Sequence, residues 1–373
     1  MSTFPRINLN WTVSPRTTAD AADEKRVPAT VPGAVQLDWA KAHGWGDHWY
    51  ADNWKRYGGL EDKFWSYKAT LDAAMFETLK PGEKLYFVCK GVDYRYEIRL
   101  GDKLFAGYVT NFNGTPIVYP IVGPTGKYMT RGYPMQENYE GVRADHPNHR
   151  SLWFTHGDVN KFDHWGAEGS EKIVHKRFAK AERDGNTALL VTENDWVDDK
   201  GKLLCRDVRT IRFAVAENMR IIDFDVTVTA EQDKVVFGDT KEGNFGIRVP
   251  EAIAVVTGKG GRFVNAEGKV GEKEAWGKRS TWVNYHGTID SEKVGIAILN
   301  HPSSFRFPTY WHVRDYGLFA ANPFGVHDFE GLQYARAGEL TLSKGESITF
   351  RYRVLFHKDA DIAEAYKVYS AKP

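Results

Sequence analysis

Apolar and polar residues alternate one by one over long stretches of this chain. In "RIIDFDVTVTA" (220–230), Ile222, Phe224, Val226 and Val228 fall on one side of an extended backbone, and Asp223, Asp225, Thr227 and Thr229 fall on the other. "SITFRYRVLFHK" (347–358) sets Ile348, Phe350, Tyr352 and Val354 against Thr349, Arg351 and Arg353, and "YRYEIRL" (94–100) repeats the pattern with Tyr94, Tyr96 and Ile98. A side-chain period of two with one apolar side belongs to an antiparallel strand lying on a core. "ERDGN" (182–186), "DDKGK" (198–202) and "LSKGES" (342–347) place turn residues between such runs at hairpin spacing. Helical spacing is confined to Ala34–His43 and to Ala360–Ala371, where Ile362, Tyr366 and Tyr369 share a face. The pattern predicts an all-β chain of sandwich type.

At 373 residues the chain has room for one large or two ordinary domains. Its character changes near residue 110, and no Ser- or Pro-rich linker or internal repeat intervenes. Domains over 1–110 and 111–373 are expected. Lys and Arg number 50 against 49 Asp and Glu, a net charge of +1 with no basic stripe, which argues against a nucleic-acid partner. The longest apolar runs, such as "VGIAIL" (294–299), are far too short to span a bilayer, so no membrane role is expected. "MSTFPRINLNWTV" lacks the basic and apolar segments of a secretory signal. A cytoplasmic location is expected, or a periplasmic one if a signal peptide has been removed. Cys89 and Cys205 both lie in apolar-alternating runs and read as buried free thiols. Aromatic residues make up 14% of the chain, with 12 Trp, and serve equally for sandwich cores and for stacking on sugar rings.

"ATVPGAVQLDW", "GDHWYADN", "FWSYKATLD" and "GVDYRYEIRLGDKLFAG" resemble the N-terminal sugar-binding jelly roll of glycoside hydrolase family 2, especially its β-mannosidase branch. The resemblance spans residues 27–108 and covers only the first half of such a domain, which implies a partial jelly roll. It implies a structural role for Asp52, Asn53 and Trp65. Residues 115–357 resemble the PmoA-like family of unknown function through five ordered motifs. These are "PIVYPIVGPTGKYMTRGYP" (116–134), "DHPNHRSLWFTHGDVNKFDHW" (145–165), "GDTKEGNFGIRVP" (238–250), "WGKRSTWVNYHG" (276–287) and "LNHPSSFRFPTYWHVRDYGLFAANPFG" (299–325). That resemblance implies an antiparallel supersandwich akin to the aldose-epimerase fold. The family tends to carry paired histidines followed by a small residue and Gly, where this chain has Asn148-His149-Arg150-Ser151.

The candidate chemistry concentrates in "DHPNHRSLWFTHGDVN" (145–160), with His146, His149 and His156. On one strand the spacings would set His146 opposite His149 and His156, and all three converge only if the chain turns at Pro147. A metal would need ligands from distant segments such as Asp145, Glu242 or His301, and neither a metal nor another cofactor is expected. Imidazole titrates near neutrality and serves as acid or base in sugar chemistry. Glu242, in the Gly-flanked "TKEGNFGIR", is the expected carboxylate partner, by analogy with the histidine acid and glutamate base of aldose epimerases. The catalytic candidates are therefore His149, His156, Glu242 and His146, with the Asn148-His149 departure favouring His149 and His156. Arg248 and Arg314 offer donor forks for sugar hydroxyls or a carboxylate, or, for Arg314, a structural pair with Asp315. Asn160 and Asn322 offer bidentate amides, or turn caps. Trp153, Trp165 and Trp311 offer stacking platforms or core, and His301 repeats the "NHP" motif ahead of His312. Retaining hydrolysis would need a second carboxylate about 5 Å from Glu242, for which Asp145 or Asp163 is available.

The expectation is a carbohydrate-active enzyme acting on a glycoside or keto-sugar by hydrolysis, elimination or epimerisation, with a small carbohydrate as its partner. A non-catalytic carbohydrate-binding protein and a metal-dependent oxygenase are the alternatives.

Overall fold

The computed structural model describes residues 10–16, 25–30, 35–46, 52–58, 60, 64–69, 95–100, 103–136, 143–166, 169, 171–184, 187–334 and 336–373. Cys89, the Val-Pro-Gly stretch at 31–33, residues 47–51 and residues 91–94 lie outside them. The chain divides into two compact units, Met1–Gly91 and Val92–Pro373.

In the first unit, strand β1 (Trp11–Arg16) pairs antiparallel with β2 (Val27–Ala29) on one edge and β3 (Phe64–Ala69) on the other. Among the described residues of this unit, Val13, Val27, Ala40 and Leu60 are buried and apolar, Ala40 being on the helix Val35–Ala42. Arg26 donates to the carbonyls of Thr12 and Ser66 and so ties two strands together. Trp65 donates to the Leu60 carbonyl and packs edge-on against Trp39. Asp52 pairs with Lys55 at the surface.

The second unit is a supersandwich of two large antiparallel sheets. The seven-stranded sheet contains β4 (Arg95–Leu100), β5 (Lys103–Phe112), β6 (Thr115–Ile121), β7 (Leu152–His156), β13 (Gly243–Arg248), β17 (Tyr310–Val313) and β18 (Leu318–Asn322). Their order across the sheet is β17-β18-β13-β7-β6-β5-β4. The eight-stranded sheet contains β8 (Lys172–Asp184), β9 (Thr187–Val197), β10 (Leu203–Ala216), β11 (Met219–Ala230), β14 (Arg262–Asn265), β15 (Trp282–Ile289), β16 (Glu292–Asn300) and β20 (Ser347–His357). Its order is β14-β15-β16-β20-β11-β10-β9-β8. A small pair, β12 (Lys234–Phe237) with β19 (Leu340–Ser343), completes the strands of this unit among the described residues.

The alternation read from the sequence is the alternation of burial. Ile222, Phe224, Val226 and Val228 of β11, with Ile348, Phe350, Tyr352 and Val354 of β20, enter one continuous core. Leu152 and Phe154 of β7, Phe245 and Ile247 of β13, and Phe319 and Ala321 of β18 enter it from the opposite sheet. Two facing sheets bury their inner residues together because neither apolar face can be satisfied alone. Asp207 and Arg209 sit on the same inward side of β10 as Cys205 and Ile211, and are sealed in. Arg209 pairs with Asp207 at 2.8 Å and donates to the carbonyls of Pro116 and Phe154 on the other sheet, at 3.4 and 3.3 Å. Trp196 and Asn194 donate to the same Asp207 carboxylate. This polar network joins the two sheets. Cys205 is buried beside it, and burial pushes its thiol well above its ordinary value. The helix Ile362–Ser370, opened by the Asp361 side chain accepting from the Glu364 N–H, packs Ile362 and Tyr369 on Leu299 and Leu355. Among the described residues, no helix is long and apolar enough to cross a membrane.

Candidate functional site on the outer face of the seven-stranded sheet

Period-two alternation also decides what the seven-stranded sheet shows on its other face. Where Phe154, Phe245, Ile247 and Phe319 point inward, Trp153, Gly246, Arg248, Leu318 and Ala320 point outward. Gly246 lies directly across from Trp153 in register. A Cβ on Gly246 would stand 2.5 Å from the Trp153 ring, so only glycine lets the indole lie flat over the neighbouring strand. Trp165 packs on Trp153 with ring centroids 5.1 Å apart.

Ahead of β7 the chain makes a tight turn, His146-Pro147-Asn148-His149, closed by the His149 N–H donating to the His146 carbonyl at 3.0 Å. Proline presets the backbone angle that the second position of such a turn requires. His146 (φ 49°) and Ser151 (φ 62°) adopt left-handed conformations on either side of it. Side chains other than glycine take that region at a cost on the order of 1–2 kcal/mol each. The Ser151 hydroxyl donates to the Val118 carbonyl at 2.7 Å and sits 2.7 Å from that of Thr130, which holds one end. The result is a stack of nearly parallel rings. His146 lies 4.8 Å from both His149 and Tyr316, and His149 lies 5.6 Å from Trp153.

A cluster of arginines holds this stack. The Arg248 Nη1 donates to His149 Nδ1 at 3.1 Å, its Nη2 donates to Asp145 at 2.9 Å, and its guanidinium lies 4.9 Å from the Tyr316 ring centre. Arg131 donates to the same Asp145 oxygen and to the carbonyls of Asp145 and His146. Arg143 bridges Glu251 at 3.0 Å and the Tyr316 carbonyl at 2.9 Å. Burial alone would raise the Asp145 carboxyl, but the Arg131 hydrogen bond and the Arg248 charge outweigh it and hold it below its ordinary value. Guanidinium is always a donor, so His149 Nδ1 is an acceptor and the ring proton resides on Nε2. Burial, followed by the Arg248 charge, pushes the His149 pKa well below 6.5, and the ring is neutral. Its Nε2 has no hydrogen-bond partner among the described residues.

Glu242 stands at the entry to β13, where the chain turns into the sheet, and its side chain is 38% exposed. Burial raises its carboxyl above the ordinary value; Lys241, 3.8 Å away, opposes this and the carboxylates of Asp163 and Asp328 add to it. Glu242 also feels His146, and Tyr316 feels Glu242, so the carboxylate lies within electrostatic reach of the ring stack. Glu242 and Asp163 both approach Gly157, with the Glu242 Cβ 2.8 Å and an Asp163 oxygen 3.6 Å from the point its Cβ would take. On the far side, Arg314 pairs with Glu272 at 2.9 Å and lies 5.6 and 5.8 Å from the ring centres of Tyr316 and Trp276. Taken together, the face holds a carboxylate of raised proton affinity, an imidazole locked in one tautomer, and flat rings beside fixed cations.

Comparison with known proteins bears on the same region. A family model described as "Family of unknown function (DUF6807)" matches residues 95–370. The chain belongs to that family. No curated protein matches it. Among solved structures, the GH36 α-galactosidase AgaA from Geobacillus stearothermophilus is 12% identical at a TM-score of 0.41, covering 74% of this chain and 43% of that one. This chain therefore corresponds to less than half the length of that protein. A galactose mutarotase-like protein from Clostridium acetobutylicum is 9% identical at a TM-score of 0.33, covering 71% of this chain and 99% of that one. Galactose 1-epimerase from Lactobacillus acidophilus NCFM is also 9% identical, at 0.32, covering 71% and 98%.

Within the DUF6807 region, the structure brings together His146, His149, Trp153, Trp165, Glu242, Arg248 and Arg314. It separates the others. His156 does not share a face with His149: the chain turns at Pro147 and β7 begins only at Leu152, so His149 is not on the strand and its spacing to His156 carries no facing rule. The turn instead brings His146 against His149, the pair that simple strand spacing would oppose. His156 points inward, bonds the Gly238 carbonyl at 3.0 Å, and packs on Phe237 and Phe324. Burial brings its pKa down to about 4. His301 binds Ser303 and the Lys372 carbonyl beside Tyr369, away from the stack. Trp311 enters the core and donates to the Ser280 carbonyl, because on β17 it is His312 that faces out. Asn160 accepts from the Val236 N–H and donates to Lys234, and Asn322 accepts from the Phe324 N–H and donates to Thr240; both are clips between segments. Arg314 takes Glu272 as its partner rather than its neighbour Asp315, whose backbone N–H goes to the same glutamate.

Sequence reasoning missed Arg131, Arg143, Glu251, Trp276 and Tyr316. The first three carry charge in runs of otherwise apolar or turn-forming residues, which was their only signal. Among the described residues, no three His, Cys, Asp or Glu side chains form a metal-binding group.

Proposed function

We propose that the outer face of the seven-stranded sheet is a carbohydrate-active enzyme site, with Glu242 as the proton-accepting carboxylate and His149 as the group that engages a substrate oxygen. The observation that carries this reading is a carboxylate of raised proton affinity within electrostatic reach of an aromatic stack that holds a tautomer-locked imidazole. Aromatic faces suit the C–H surfaces of sugar rings, and fixed cations suit their oxygens. The resemblance of residues 27–108 to a sugar-binding jelly roll, and that of 115–357 to the PmoA-like family with its epimerase-type supersandwich, support the same class of ligand. Hydrolysis, elimination and epimerisation all use such a pair.

Turnover of wild-type protein, Glu242→Gln and His149→Ala on a panel of glycosides and ring-oxidised glycosides tests the reading. Loss of turnover on the order of 10²-fold or more in each variant is expected; unchanged turnover in both sinks the assignment.

A further inference from the structure

We infer that the substrate of this site carries a carbonyl group, and that Glu242 removes a proton from the carbon next to it while His149 Nε2–H hydrogen-bonds the carbonyl oxygen. This rests on the sugar-active reading above and goes on to choose among its chemistries.

The choice follows from what Arg248 permits. Its Nη1 donates to His149 Nδ1 at 3.1 Å, and the guanidinium is held there by Asp145 and stacked on Tyr316. Adding a proton to Nδ1 would set an N–H against an N–H, so this ring cannot be the histidinium that a proton donor to a glycosidic oxygen must be. A neutral imidazole can still donate a strong hydrogen bond through Nε2–H. A guanidinium on the other nitrogen withdraws electron density from the ring and strengthens that donor. Stabilising a carbonyl oxygen as it gains negative charge needs such a donor and no proton transfer.

The carboxylates point the same way. Asp145 is occupied by Arg131, Arg248 and the His146 ring, 3.3 Å away. Asp163 accepts the backbone N–H groups of Trp165 and Gly166 through one oxygen and so closes its own loop. Glu242 has no such structural duty, and its proton affinity is raised by burial and by the two neighbouring carboxylates. Removing a C–H proton calls for a base of that kind.

The Glu242 carboxylate takes the proton from the α-carbon. The C–H electron pair becomes the carbon–carbon double bond of an enolate, and the carbonyl π pair moves to the oxygen facing His149 Nε2–H. Loss of the Glu242 proton to solvent and delivery of a solvent proton to the opposite face give the epimer. If the β-carbon carries an oxygen substituent, the carbonyl re-forms and the carbon–carbon double bond shifts to the α and β positions. The C–O bond breaks as that double bond forms, with its pair on oxygen, and that oxygen takes the proton held by Glu242.

The experiment uses the full chain in deuterated water with methyl glycosides and with the same glycosides oxidised to a ketone at one ring carbon, followed by proton NMR. Loss of the α-proton signals of the ketones is expected, falling on the order of 10²–10⁴-fold in Glu242→Gln. Release of methanol from the unoxidised glycosides without any exchange in the ketones overturns the carbonyl inference and leaves the sugar-active reading standing. Neither turnover nor saturation-transfer binding of either panel overturns both. A second measurement needs no substrate and no variant: nitrogen-15 spectra of His149 in the wild-type protein. The expected result is a proton on Nε2 and a bare Nδ1, unchanged from pH 8 to about pH 5.5; a ring that gains its second proton in that interval overturns the inference.

Discussion

The two faces of the seven-stranded sheet contain the same residue types put to opposite uses. On the inner face, His156 bonds a backbone carbonyl among phenylalanines, and its Nδ1 is sealed without a partner. On the outer face, His149 has its Nδ1 engaged by Arg248 and its Nε2 left for something else. Each face is also met by a buried arginine on an aspartate, the inner pair being carried by β10 of the opposite sheet. Asp207 is fully enclosed and receives Arg209, Trp196 and Asn194, so the pair spans two sheets and nothing remains to be bound. Asp145 is 32% exposed and shares two buried arginines, one of which sets the tautomer of a histidine. A polar group that satisfies all its neighbours stabilises, whereas one that leaves a fixed donor unspent is prepared for a ligand.

The sharpest test of that contrast is to remove each aspartate. Asp207→Ala leaves a guanidinium uncompensated between the sheets, and a stability loss of about 3–5 kcal/mol is expected in denaturant unfolding. Asp145→Ala, beside solvent and with Glu251 3.8 Å from Arg248, should cost about 1–3 kcal/mol while abolishing turnover. A reversed order of the two losses would break the comparison. His156→Ala should cost about 2–3 kcal/mol through the cavity it leaves, with turnover per folded molecule retained; a turnover defect matching that of His149→Ala would place His156 in the chemistry. Gly246→Ala forces the Trp153 ring aside, so about 1–3 kcal/mol of overpacking and a raised KM are expected together.

Acid should reveal the buried neutral histidines. Burial lowers His149 well below 6.5, His156 and His357 to about 4, and His312 to about 3. The unfolded chain takes up these protons below about pH 6.5 and the native state does not, so stability falls as pH drops through that range. Each such group contributes a slope of up to about 1.4 kcal/mol per pH unit. Unfolding free energies measured at intervals from pH 7.5 to 4.5 should steepen downwards, and His156→Gln should remove one proton's share. The smallest effect belongs to Asn160→Ala, about 1 kcal/mol from a lost clip, with turnover unchanged.

Much of this was legible in the chain before any coordinates. The β11 and β20 alternations named their inward residues correctly, because a strand's period of two is a local property. The helices at Val35–Ala42 and Ile362–Ser370 fall inside the segments that helical spacing marked. Cys205 is the buried thiol that its apolar setting implied. The histidine-rich segment was legible as chemistry, but its division between two faces was not. The strand rule fails across residues 146–156 because the first six form a turn and its exit. Trp311 and His312 show the same limit, since alternation assigns adjacent residues to opposite faces without saying which face is the core.

The sequence by itself determined the class of fold, the inward faces of β11 and β20 and the segments where unusual side chains gather, since propensity, alternation and turn chemistry act within a few residues. Only the tertiary structure decided which of those side chains meet. Asp145, Arg131 and Arg248 come from separate segments, and Tyr316 from a fourth, and their contacts exist only once the strands have taken their order in the sheet. The protonated nitrogen of His149 was decided there too, because it depends on a guanidinium 99 residues away along the chain.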